Sequence, residues 1–142
     1  MRHTNIILPR VADAPLEFLT REQLIRRWKT GSASFFYRAE SRDLLVPRRC
    51  GGLLRYAWDD IFTFEGGPPP VGLEAEYRAD LLTATQIGAF CGCSEGRVLA
   101  DVKAGWLAHR RIGRFVRFVP AEVRLWQQNR WQPGTRRWWG AK

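Results

Sequence analysis

The chain has 142 residues, with 23 Lys and Arg against 14 Asp and Glu, for a net charge of +9. Apolar residues make up 45% and aromatic residues 13%, enough to bury a core and to exclude wholesale disorder. The basic excess points to an anionic partner, of which nucleic acid is the commonest, and an odd number of cysteines, three, argues against a disulfide framework.

In chain order, Met1 to Arg10 holds Ile6-Ile7-Leu8 and then Pro9, an apolar stretch too short for a secretory signal. No run approaches the roughly 18 apolar residues of a membrane span, so the expected location is the cytoplasm, at the bacterial nucleoid, with no membrane partner. Residues 1–15 read as an arm. From Leu19 the chain begins to repeat itself. Leu19-Thr20-x-x-Gln23-Leu24 returns as Leu82-Thr83-x-x-Gln86-Ile87 at an offset of 63, and from Ser32 onward the offset is 62. Leu45 then falls on Leu107, Arg48-Arg49 on Arg110-Arg111, Gly51 on Gly113, Arg55 on Arg117, Asp60-Ile61 on Glu122-Val123 and Phe64 on Trp126. The extra residue lies within Lys29-Thr30-Gly31, as a turn allows. Two units are expected, 16–66 and 81–129.

In the first unit Thr20 with Gln23 predicts a capping box and Ser32 a second helix start. Gly51-Gly52 predicts a hairpin turn, and Trp58 to Phe64 a closing helix. Leu24, Trp28, Phe36, Ile61 and Phe64 are the expected core. Residues 67–80 follow, with Gly67-Pro68-Pro69-Pro70 and three acids between Leu73 and Asp80. That composition predicts a linker. At roughly 3.3 Å per residue it would extend to about 45 Å, enough for two heads to reach successive turns of a duplex about 34 Å apart.

The second unit repeats the plan more cleanly. Thr83 with Gln86 opens a helix with Ile87, Phe90 and Cys91 on its apolar face, ending at Gly92. Ser94 opens another with Val98, Leu99 and Val102 inward, closed by Gly105. Two short helices joined by about three residues form the helix-turn-helix pattern. Leu107 to Ile112 and Phe115 to Val119 flank Gly113-Arg114, a two-residue hairpin signal. Pro120 suits the first turn of a helix over Ala121 to Gln128, with Val123 and Trp126 inward. The expected fold class is α+β, mostly helical, with two tandem winged helix-turn-helix domains. Residues 130–142 form a basic, Trp-rich tail.

Residues 82–128 resemble, without a gap, the excisionase-like and MerR-like winged helix domains of bacteria, phages and mobile elements. Leu82-Thr83 opens the family pattern, Gly92-Cys93-Ser94 stands at its G-V-S, and Arg97-Val98 at its T-V. Gly105-Trp106-Leu107 stands at its G-x-L, and Arg111-Ile112-Gly113-Arg114 at its wing turn. Residues 19–64 resemble the same family more distantly, through Ser34-Phe35-Phe36-Tyr37-Arg38 and Leu44-Leu45-Val46-Pro47. The second unit departs from the family at Leu99-Ala100, where Tyr-Arg is common. After Gln128 no heptads follow, which sets the chain closer to the excisionase branch than to full MerR regulators.

The resemblance implies a second helix set in the major groove and a wing on the backbone. Candidate recognition residues are Ser34, Phe35, Tyr37, Arg38, Ser41 and Arg42 in the first unit, and Glu95, Arg97, Asp101 and Lys103 in the second. Phe35 is a candidate for contact with a thymine methyl. Candidate wing residues are Arg48, Arg49 and Arg55, and His109, Arg110, Arg111, Arg114 and Arg117; an acid-free hairpin so rich in Arg is expected to meet a polyanion. Arg130, Arg136 and Arg137 in the tail suit a DNA-tracking arm, a partner-docking motif or a membrane-surface element.

No catalytic constellation is visible, since His3 and His109 lack triad partners and no phosphate-binding Gly motif occurs. Cys91 and Cys93, with only Cys50 and His109 to add, lack zinc-site spacing. No enzyme activity, metal or cofactor is expected. The expected function is a sequence-specific regulator of transcription from a phage or mobile element, bound to double-stranded DNA. An excisionase that bends DNA and recruits an integrase shares the fold, and so does an interaction module built on the second unit. RNA polymerase or an integrase are candidate partners of the tail, and cooperative self-association on DNA is compatible with all three.

Overall fold

The structure is a computed structural model and describes residues 17–134. It is α+β, with seven helices and two small antiparallel sheets among the described residues. Strand β1 (Phe18–Leu19) leads into helices α1 (Arg21–Trp28) and α2 (Ala33–Ser41), strands β2 (Arg48–Cys50) and β3 (Leu53–Ala57), and helix α3 (Trp58–Glu65). The short helix α4 (Glu74–Tyr77) follows. Then come α5 (Ala84–Cys91), α6 (Glu95–Lys103), β4 (Arg110–Ile112), β5 (Phe115–Arg117) and α7 (Pro120–Arg130).

The repeat read from the sequence recurs in local geometry. Thr20 and Gln23 close a capping box at 3.1 and 2.8 Å, and Thr83 and Gln86 close another at 3.1 and 3.0 Å. Each satisfies two amides that the first turn of a helix leaves without partners. Ser32 and Ser94 cap α2 and α6 by accepting from the amides of Phe35 and Arg97. Both hairpins share one register: Arg48 faces Arg55 and Cys50 faces Leu53, as Arg110 faces Arg117 and Ile112 faces Phe115. Their turns begin at Gly51 and Gly113 with φ of 57° and 63°, the left-handed region that glycine enters without a Cβ clash. Leu19 pairs with Tyr56 across β1 and β3, and Leu82 with Phe118 in the equivalent bridge.

The change of offset has a steric cause. A Cβ on Gly88 would lie 2.7 Å from the Cys93 carbonyl oxygen, so the short turn between α5 and α6 presses on that helix. The equivalent position in α1 is Ile25, and there the turn carries one more residue. Ile25 packs instead beside Gly31, whose Cβ would lie 3.3 Å from it.

Two cores result, and they are not one per unit. The smaller lies within the second half: Ala84, Ile87, Val98, Leu107, Phe118, Val123 and Trp126. The larger joins Leu24, Trp28, Phe36, Leu45, Tyr56 and Ile61 of the first half to Tyr77, Leu81, Ile112 and Val119. Residues 67–80 are therefore not an extended tether. Tyr77 is buried, and Arg27 donates to the Ala79 carbonyl at 2.6 Å while Leu81 donates its amide to Arg27. The two halves are docked, and the expected spread over about 45 Å is absent from this arrangement.

Several inward assignments also change. Phe90 is 65% exposed and Leu99 faces outward, while Phe64 is half-buried against the larger core. Helix α6 stops at Lys103 with Ala104 as its cap, one residue before Gly105, and α7 runs on to Arg130.

Candidate nucleic-acid interface

Helix α2 carries the most open polar face. Phe36 and Ala39 anchor it, and the opposite side exposes Ser34, Tyr37, Arg38, Ser41 and Arg42. Phe35 does not join that face. Its ring packs edge-on against Trp28 and Phe36, and a Cβ on Gly113 would lie 2.9 Å from it. Phe35 thus seats the tip of the second hairpin rather than offering its ring to a base.

That seating creates a groove of about 990 Å³ between the halves. Arg38 and Arg42 of α2 line one wall, Arg111 and Arg114 of the second hairpin the other, and Phe35 and Phe64 lie among its apolar lining. Among the described residues Asp43 is the one acid lining it. No carboxylate of the described residues pairs with any of the four arginines. Four guanidinium groups held around one cleft repel one another, and an entering anion relieves that repulsion.

The hairpin arginines divide into tips and bases. Arg49, Arg111 and Arg114 are exposed, as is His109. At the bases, Arg48 donates to Asp60 at 2.8 Å, and Arg110 makes a bidentate pair with Glu122 at 2.9 and 2.8 Å. These are one pair in two copies, each residue shifted by 62. The hydrogen bond to Asp60 holds Arg48 above the ordinary arginine range. Arg117 is committed elsewhere. It donates to the carbonyls of Trp28 and Lys29 at 2.8 and 3.1 Å, capping the last turn of α1, where orphan carbonyls and the helix dipole favour a cation. Burial draws its pKa down. Arg55, its equivalent, is half-buried and among the described residues donates only to the Leu54 carbonyl. The hairpins therefore carry neutralising acids on the adjoining helices, which the sequence reading of acid-free wings did not foresee.

Helix α6 differs from α2. Asp101 is buried, accepting from Trp126 Nε1 at 2.8 Å and from Arg130 at 3.1 and 3.3 Å. The Arg130 hydrogen bond leads in holding its carboxyl below the usual range. Asp101 is thus a core ligand and not a reader of bases. Glu95 accepts from Thr85, Arg97 lies 3.9 Å from Asp101, and Lys103 is exposed. Arg130, bound to Asp101, also lies over the Trp106 ring. Arg136 and Arg137 lie outside the described residues.

Sequence reasoning missed two polar networks, one buried and one half-buried. Arg27 and Glu65 form an ion pair with side chains 1% and 3% exposed, and Trp28 donates to the same carboxylate. Glu40 accepts from Arg21 and from Tyr56, whose phenol is pushed up to about 12 chiefly by burial. Among the described residues no group of His, Cys, Asp and Glu could hold a metal, and no helix is long and apolar enough to cross a membrane. No family model, curated protein or solved structure matches the chain.

Proposed function

We propose that the protein binds double-stranded DNA, with two winged helix-turn-helix modules docked into a single head. The observation that carries this reading is the groove between α2 and the second hairpin, lined among the described residues by four arginines and one acid, Asp43, with none of the four in an ion pair. Helix α2, with Ser34, Tyr37, Arg38, Ser41 and Arg42 outward, would enter the major groove, where base edges are distinguishable. Arg111 and Arg114 would grip the adjoining phosphates, and Arg49 extends the basic surface.

The finer reading rests on the resemblance to excisionase-like and MerR-like domains: a sequence-specific regulator of a phage or mobile element. Because the halves are docked, it would occupy one continuous site and not two half-sites joined by a tether. Titration of a labelled duplex at increasing salt tests the class. About five neutralised phosphates give a log–log slope of about −4.5. A slope flatter than about −2, or equal binding to a polyanion such as heparin and to every duplex, removes the reading.

One observation favours a different duty for the second half. Helix α6 buries its Asp101 and exposes Leu99, with Trp106 59% exposed in the turn after it, an apolar surface beside Arg97 and Lys103 that suits a protein partner.

A further inference from the structure

The repeat is also a docking rule. The first half receives the second through the end of α1: Leu81 donates its amide to the Arg27 carbonyl, Arg117 caps the Trp28 and Lys29 carbonyls, and Ile112 is fully buried in the larger core. This contact joins two different faces of equivalent units, so it is heterologous and does not close on itself. Each half should then own both faces, and among the described residues each half leaves one of them uncovered.

The unused donor face belongs to the first half. Phe18 stands at the position of Leu81 and is 45% exposed where Leu81 is fully buried. Cys50 stands at the position of Ile112 and is exposed, and Arg55 stands at that of Arg117 and, among the described residues, donates to no carbonyl beyond its own strand. The unused receiving face belongs to the second half. Phe90 stands at the position of Arg27 and is 65% exposed. Helix α5 ends at Gly92 in the same left-handed turn (φ 67°) that ends α1 at Lys29 (φ 53°). Among the described residues, no donor reaches the Cys91 and Gly92 carbonyls.

We propose that copies of this chain associate head to tail, the first half of one docking on the second half of the next as the two halves dock within the chain. Phe18 docks at the end of α5 as Leu81, fully buried and bonded through its amide to the Arg27 carbonyl, docks at the end of α1, and Arg55 caps the end of α5 as Arg117 caps that of α1. The exchange of Arg27 for Phe90 and of Glu65 for Gln127 removes the ion pair from the open face, which keeps Arg97 at the position of Phe35 and Arg124 at that of Phe62, so an apolar residue covering Phe90 breaks no ion pair there. Within the chain the covalent connection raises the effective concentration, so the contact between chains is the weaker of the two. An open heterologous contact adds chains without a fixed end point.

Sedimentation of the full chain over a concentration series tests this without DNA. The average mass should rise past that of a dimer. Phe18→Thr and Phe90→Gln should each remain monomeric, with unchanged thermal unfolding. Mixed, they should form a 1:1 pair and nothing larger, because one keeps the receiving face and the other the donor face. Arg55→Ala repeats the test through a polar contact. A wild-type chain that stays monomeric overturns the proposal. So does a mass that stops at a dimer which the mixed variants fail to restore, or association that survives all three substitutions. That last result would hand the open faces to other parts of the chain.

Discussion

The first and second halves share a skeleton and differ in what covers it. Caps, hairpin register and the Arg48–Asp60 and Arg110–Glu122 clamps are present twice. Where the first half buries Arg27, Trp28 and Glu65, the second places Phe90, Cys91 and Gln127, and Gln127 donates to the Cys91 sulfur at 3.4 Å. The first half is covered there by residues 67–81, so a charge pair satisfied on every side can be buried. The second has no such cover among the described residues. Equivalent positions thus diverge with the neighbour they face, while positions that define the backbone do not.

The sharpest break in this comparison is Glu65→Ala against Gln127→Ala. Removing Glu65 leaves the Arg27 guanidinium buried without its partner and Trp28 Nε1 without an acceptor, which costs about 3–5 kcal/mol. Gln127→Ala loses a weak sulfur contact and costs under about 1 kcal/mol. Chemical denaturation of both variants checks the ratio. Comparable losses would mean that the buried pair is not what stabilises the first half.

A smaller effect separates α6 from α2. Asp101→Ala leaves the indole N–H of Trp126 unpaired and costs about 1–3 kcal/mol. The charge has its own signature in Asp101→Asn. Because the folded carboxyl titrates below its ordinary range, its contribution is complete above about pH 4 and fades as the pH falls through the depressed value. The stability gap between wild type and Asp101→Asn should be widest at neutral pH and narrow in acid. A gap that does not change with pH would assign the effect to packing alone.

What could be read from the sequence was local or periodic. Capping boxes act over three residues, hairpin turns over two, and the repeat needs only self-comparison, so these emerged without coordinates. The docking of the halves did not. Arg27 and Glu65 are 38 residues apart, and Arg117 reaches the Trp28 carbonyl across 89; neither spacing leaves a mark in the chain. Gly and Pro in 67–70 suggested a free linker, although Tyr77 and Leu81 beyond them are core residues. Phe90 reads as inward by helical spacing because period alone cannot tell a covered face from an open one. The arginines of the two hairpins are visible in the chain, but their division into tip and base depends on where Asp60 and Glu122 lie in the adjoining helices.

That division is the central claim, and two neighbours in one strand test it. Arg111 lines the groove without a carboxylate partner, whereas Arg110 is tied to Glu122. Duplex affinity and thermal stability are measured together for Arg110→Ala and Arg111→Ala. Arg111→Ala should weaken binding, make the salt slope shallower by about 1 and leave the melting temperature unchanged. Arg110→Ala should lower the melting temperature and, while folded, bind as tightly as the wild type. If Arg110→Ala lost affinity as much as Arg111→Ala without loss of stability, tips and bases would be one DNA-binding surface, and the account would be wrong.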